Sequence, residues 1–267
     1  MEEREPKVTR GIVAMLDALG VRNASIEETR KFISSIPRMR EYTELVNTAL
    51  IGSHPQLRDL WKEENFSIHN FGDTFLLVWK LTNPSDELLG LVTIGRVLSM
   101  VIFNGLYGRI RLRGAVSIGD IILDERSVLG PAINDVASWY DKAEFIGAVA
   151  TPECGQHLSY IELKPVAAGF NDEKTGKREL DASFQKYDVP VKGGSTRNLW
   201  VVNWPDIATC RQQDPLGWYF ERTRKLAIPF GTEQKYENTE KFIVEMLKRK
   251  EVNKAEDGNL SKPSSTV

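Results

Sequence analysis

The stretch SIHNFGDTFLLVWKL, residues 67–81, reads as two strands folded back at Gly72-Asp73. Glycine accepts positive φ at little steric cost, and the second arm is rich in apolar and aromatic residues, so the spacing predicts a β-hairpin. The turn leaves Asp73 at the mouth of a strand that wants burial. A second acid repeats the pattern: GIVAMLDALG, residues 11–20, reads as a buried strand ending in Asp17 shortly before a glycine. Either acid alone reads as a cap or turn former. Together, two carboxylates at strand ends point to a cation held between them, since a lone buried carboxylate is costly. The small residues Ala18, Gly20 and Gly72 fit close approach of phosphate to backbone N–H groups.

Outward from these acids the chain alternates in type. Ser25 and Glu28 have capping-box spacing, and residues 26–50 continue at helical period with an interruption at Pro37. After Pro84 an apolar helix is predicted to about Gly105, then a strand in RIRLRGAVSIGDIIL with alternating character in its first half. GPAINDVASWYDKAEF, residues 130–145, reads as a helix with Val136, Ala137, Tyr140 and Ala143 facing a core. A short strand, AVATPE, and a short helix, CGQHLSYIE, follow. GFNDEKTGKRELDAS, residues 169–183, is polar and Gly-interrupted and reads as a loop. VPVKGGSTRNLWVVNW reads as two strands about a Gly-Gly turn, and residues 233–252 as an amphipathic helix. The result is a single α/β domain over residues 1–252, with a polar tail, 253–267, expected to be disordered.

Composition narrows the partners. Lys and Arg total 35 against 37 Asp and Glu, so the net charge of −2 gives no global attraction to nucleic acid or anionic membrane. Cys154 and Cys210 fit neither a disulfide framework nor a Cys/His metal pattern, and MEEREPKVTR lacks an apolar signal core. A soluble, cytoplasmic protein is expected. The run Val97 to Tyr107 falls short of the ~20 residues that span a bilayer. No GxxxxGK[ST], GxGxxG, HExxH or GxSxG is present, which removes the usual support for P-loop, dinucleotide, zinc-protease and serine-hydrolase chemistry.

The order of five segments resembles the class III nucleotidyl cyclase catalytic domain. MLDALG and FGDTFLLVW look like its two metal-binding elements, and RLRGAVSIGDI like its arginine-led strand. SVLGPAIN resembles the segment in which a base-reading residue stands seven positions before an Asn, and VPVKGGSTRNLWVVNW the terminal hairpin. The resemblance covers residues 11–204. It implies an α/β (α+β) class III cyclase fold, with a ferredoxin-like palm core, a mixed and mainly antiparallel sheet, and flanking helices. It implies two divalent metal ions, Mg²⁺ or Mn²⁺, on Asp17 and Asp73. It also implies a head-to-tail homodimer in which the partner supplies the base pocket and Asn134 to each shared site.

On the same resemblance Asp17, Asp73, Asn134 and Lys192 are the catalytic candidates, and Ala18, Leu19, Gly20, His69, Ser127 and Lys142 the substrate-binding ones. The reaction implied closes a nucleoside triphosphate to its 3′,5′-cyclic monophosphate with release of pyrophosphate. His69 and Ser127 occupy the base-reading positions and match neither the adenine nor the guanine pattern of the family. This resembles the pyrimidine cyclases of the bacterial Pycsar anti-phage systems and favours UTP and cyclic UMP, with CTP or a purine as alternatives. That subgroup further implies a separate effector that reads the cyclic nucleotide. Ser138 stands where the purine enzymes carry a phosphate-binding arginine, so Lys192, Lys142 or Arg197 is left to replace it, or the chain binds nucleotide without turnover. Arg113 reads as a structural residue.

Overall fold

The computed structural model describes residues 8–20, 65–83, 86–108, 110–123, 127–168, 170–224 and 231–260, with a few isolated positions between 26 and 41. The helices expected over residues 26–50 otherwise lie outside the described residues. Strand β1 (Val8–Leu19) is apolar along most of its length and sits inside the sheet. It is flanked by β3 (Thr74–Lys80) and β4 (Arg111–Leu123). Strand β2 (Phe66–Phe71) pairs with β3 as the outer arm of the expected hairpin. Gly72, at φ +67°, makes the turn without steric cost.

Spatially these four strands run β2-β3-β1-β4, all antiparallel, which is the ferredoxin-like order that the resemblance implies. The sheet extends through β6 (Gly147–Ala150), parallel to β4, and then through the hairpin of β7 (Phe184–Val191) and β8 (Ser195–Val202). Strand β5 (Val128–Leu129) adds only a short pairing to the end of β4. The architecture is thus mixed α/β, mainly antiparallel, with flanking helices.

Helix α1 (Glu87–Tyr107) crosses one face of the sheet, with fifteen of its residues buried. Among the described residues it is the helix long and apolar enough to cross a membrane, and here it forms the core layer. Glycine lets it lie close: a Cβ at Gly95 would stand 2.3 Å from the Phe184 ring. Helix α2 (Pro131–Trp139) lies on the opposite face, with Ala132 against Gly119 and Asp135 accepting from Ser117 Oγ at 2.6 Å. Because both faces are covered, β4 is buried from Arg111 through Gly119 and lacks the expected alternation.

Other boundaries differ from expectation. Helix α2 stops at Trp139, and Ala143 is buried instead by a bridge to Val191, so the helix expected through residue 145 gives way to a connection. Ala137 is exposed. Beyond α3 (Pro152–Leu163), the segment read as a loop contains α4 (Glu173–Ser183), capped by Asp172, whose carboxylate accepts from the Thr175 N–H at 2.7 Å. That cap outweighs Gly176, which packs against Pro165 and Phe170. Helices α5 (Trp204–Arg211) and α6 (Pro215–Arg224) precede α7 (Glu233–Leu260). Helix α7 continues past Asn253 into the tail expected to be disordered, in a stretch that includes the helix formers Lys254, Ala255 and Glu256. Phe242 of α7 packs edge-on against Phe145 and Tyr187, which closes the core at the β6–β7 end.

Candidate active site

Strand register brings the two acids together. Asp17 lies opposite Thr74 on β3, the residue that follows Asp73, and the Ala18 N–H donates to Asp73 O at 3.0 Å. Asp17 and Asp73 therefore occupy one end of the palm, on neighbouring segments. On its other side Asp17 lies opposite Arg113, whose Nη2 donates to Asp17 Oδ2 at 3.2 Å. Burial raises the Asp17 carboxyl above its usual range; Arg113 opposes the rise, and the negative charges of Asp73 and Asp141 add to it.

Arg113, read from the sequence as structural, is held at the carboxylate end by ion pairs. It is the third residue of β4, and the β1–β4 register turns it onto the same face as Asp17. Its side chain is only 7% exposed, and it also reaches Ala143 O at 3.4 Å and Glu144 at 3.6 Å. Glu144 in turn meets Lys235 of α7 at 3.5 Å. A chain of alternating charge thus ties the carboxylate end to the C-terminal helix. The early end of α2 is what brings Ala143 and Glu144 here.

The other candidates fall into two groups. Lys192 stands at the carboxylate end: it bonds Asp141, which Lys142 also meets at 3.3 Å, and the charge of Asp141 is felt at Asp17. Both lysines share that one carboxylate. Asn134 is exposed on α2, between Ala132 and Asp135, at the level of Gly119 and Ser117. Those residues lie opposite Gly11 and Val13. At roughly 3.3 Å per strand residue, Asn134 sits about 13–20 Å along β1 from Asp17. One chain does not bring Asn134 to its own acids.

His69 lies opposite Leu76 on β3, which lies opposite Met15, so it shares a sheet face with Asp17 while standing on the outer strand. Its Nε2 is 3.0 Å from Ser67 Oγ, and burial lowers its pKa, keeping the ring neutral at pH 7. Ser127 is half-buried just before β5. Leu19 is half-buried beside Arg111 in the register, and Gly20 turns at φ +89°. The Ala18 N–H donates to Asp73 O, and the Ala18 side chain is 2% exposed in the core. Ser138 is no substitute for an arginine, since its hydroxyl donates to Asp135 O at 2.7 Å. Arg197 lies over the Trp139 ring at 5.9 Å.

Among the described residues no three His, Cys, Asp or Glu side chains converge on one point. Two carboxylates without a third suit Mg²⁺ or Mn²⁺ bound jointly with substrate phosphates, because Mg²⁺ is commonly held by one or two carboxylates and the phosphates themselves.

No protein-family model matches the sequence, and no curated protein matches it. Solved structures similar to the chain include the adenylyl cyclase CyaB from P. aeruginosa, at 12% identity and a TM-score of 0.43 over 74% of this chain and 96% of that one. The catalytic core of a rhodopsin-guanylyl cyclase with converted specificity shares 13% identity, with a TM-score of 0.43 over 74% and 98%. An adenylate/guanylate cyclase/hydrolase from Silicibacter pomeroyi shares 16%, with a TM-score of 0.38 over 74% and 95%.

Proposed function

We propose that the chain is a nucleotidyl cyclase that converts UTP to cyclic UMP and pyrophosphate as a head-to-tail homodimer. The observation that carries this reading is the meeting of Asp17 and Asp73 at one end of a ferredoxin-like palm, with Arg113 in contact with Asp17. The distance of Asn134 from these acids within one chain supports sites completed by a partner. The partner's Asn134 then reaches the ribose, while its His69 and Ser127 meet the base.

In the reaction the substrate 3′-oxygen bonds to the α-phosphorus, the bond from that phosphorus to the bridging oxygen breaks, and pyrophosphate leaves with that electron pair. The 3′-hydroxyl proton passes to solvent. Asp17 and Asp73 would hold divalent ions, which would lower the pKa of the 3′-hydroxyl and offset the triphosphate charge. The protein's own contribution is position and fixed charge. Arg113 orients Asp17 and brings a guanidinium to the phosphate end, and Lys192 stands beside Asp141 within the electrostatic reach of Asp17. A neutral His69 is able to donate or accept, and with Ser127 it complements the edge of uracil, which offers two carbonyl acceptors about one N–H donor. Second-messenger synthesis in bacterial anti-phage defence, with a separate effector, rests on the Pycsar resemblance.

The test is purified protein with Mn²⁺ and each of the four nucleoside triphosphates, with products resolved by mass spectrometry. Cyclic UMP is expected to predominate, and Asp73→Asn to lower turnover by about a hundredfold or more. Predominant cyclic CMP, AMP or GMP overturns the base assignment. A second reading, nucleotide binding without turnover, is favoured by Ser138, whose hydroxyl is spent on its own helix. Nucleotide binding with no product from any triphosphate selects it.

A further inference from the structure

A second charged site lies away from the carboxylate end. Helices α4 and α7 line a cleft of about 620 Å³, within the ~300–1,000 Å³ that small-molecule sites occupy. Lys174, Lys177 and Arg178 come from α4, and Lys248, Arg249 and Lys250 from α7. Against these six cations the lining carries two carboxylates, Asp181 and Asp206, while Glu179 pairs with Arg178 at 3.7 Å and Glu245 with Arg249. Asp206 is held by Arg96 of α1 at 3.0 Å and by Lys250 at 2.6 Å, so it fixes the cleft wall and does not neutralise the α4 row. Arg249 is likewise anchored, donating to Lys186 O at 2.6 Å.

The cleft also contains an acceptor without a donor. Asn203, 8% exposed, donates from Nδ2 to Asp181 O at 2.7 Å, while its Oδ1 is buried with no partner. A ligand hydroxyl or amine would supply the donor that this buried acceptor lacks. Lys235, which meets Glu144 in the Asp17 network, lies at the other end of α7 from Lys248; at 1.5 Å per helical residue they stand about 20 Å apart. The two sites are therefore distinct.

We propose that this cleft binds a phosphorylated small molecule of nucleotide size, with its phosphates between the basic rows of α4 and α7 and a hydroxyl or amine donating to Asn203 Oδ1. A concave site with one buried acceptor suits a discrete ligand, whereas a polynucleotide backbone calls for an extended basic track.

Isothermal titration of ATP and of tripolyphosphate into the full chain in EDTA tests the proposal. The Lys177→Glu/Lys248→Glu double variant and Asp73→Asn are run in parallel. Both lysines are exposed, so the double variant should keep its melting temperature; Lys177→Gln/Lys248→Gln replaces it should it fail to fold. ATP is expected to bind wild type more tightly than tripolyphosphate, to weaken about tenfold or more in the double variant, and to stay within about twofold in Asp73→Asn. Absence of ATP binding to wild type overturns the proposal. So does binding that is lost in Asp73→Asn but kept in the double variant, or tripolyphosphate binding as tightly as ATP.

Discussion

At the residue scale the acids illustrate how position changes meaning. Asp73 in isolation is a turn residue, and its N-terminal neighbour Gly72 supplies the positive φ that the turn needs. The β1–β3 register sets it beside Asp17. If the pair holds a divalent ion, Mn²⁺ should raise the melting temperature of wild type by about 2–5 °C and leave Asp73→Asn nearly unmoved, read by differential scanning fluorimetry without nucleotide. Glu87 shows the opposite electrostatic case. A hydrogen bond from His157, with further help from Arg10, holds its carboxyl down at about 2, against an ordinary 4.5. A depressed carboxyl contributes stability that is present above the unfolded value and lost as pH falls through the folded one. Glu87→Gln should therefore cost about 1–3 kcal/mol at pH 7. The deficit relative to wild type should shrink between pH 4.5 and 2, as followed by urea unfolding.

At the element scale the strands were legible because apolar runs and glycine turns mark them directly. β1, the β2–β3 hairpin and the β7–β8 hairpin all lie where the spacing predicts. Helix ends were less legible. α2 ends early because Ala143 finds its burial against Val191, at the far end of β7, and no local signal in YDKAEF encodes that contact. α4 was legible in principle through Asp172 and Thr175, but its polar composition and Gly176 masked the cap. Close approach between β1 and β4 is set by Gly114, where an added Cβ would stand 2.1 Å from Met15 O and 2.6 Å from a Leu16 methyl. Gly114→Ala should destabilise the fold by about 1–3 kcal/mol or more, because backbone, not a movable side chain, blocks it. Chemical denaturation measures this, and wild-type stability in the variant would refute the assigned register.

At the scale of the whole molecule, the separation of Asn134 from Asp17 sets the expectation for assembly. Mixing Asp73→Asn with Asn134→Ala, each inactive alone, should restore about a quarter of wild-type activity, since half the dimers carry one intact site of two. No recovery after exchange of subunits would overturn the shared site. By itself the sequence determined the strands, the ferredoxin-like order expected of them and the two candidate metal acids, because these follow from local apolar pattern, turn chemistry and motif order. Tertiary structure decided the rest. Arg113 became the partner of Asp17, Ala18 lost its free N–H to Asp73, and α4 and α7 came together around a basic cleft. Each of these depends on residues far apart in the chain meeting across a sheet or between helices, and contact at that range leaves no periodicity in the sequence to read.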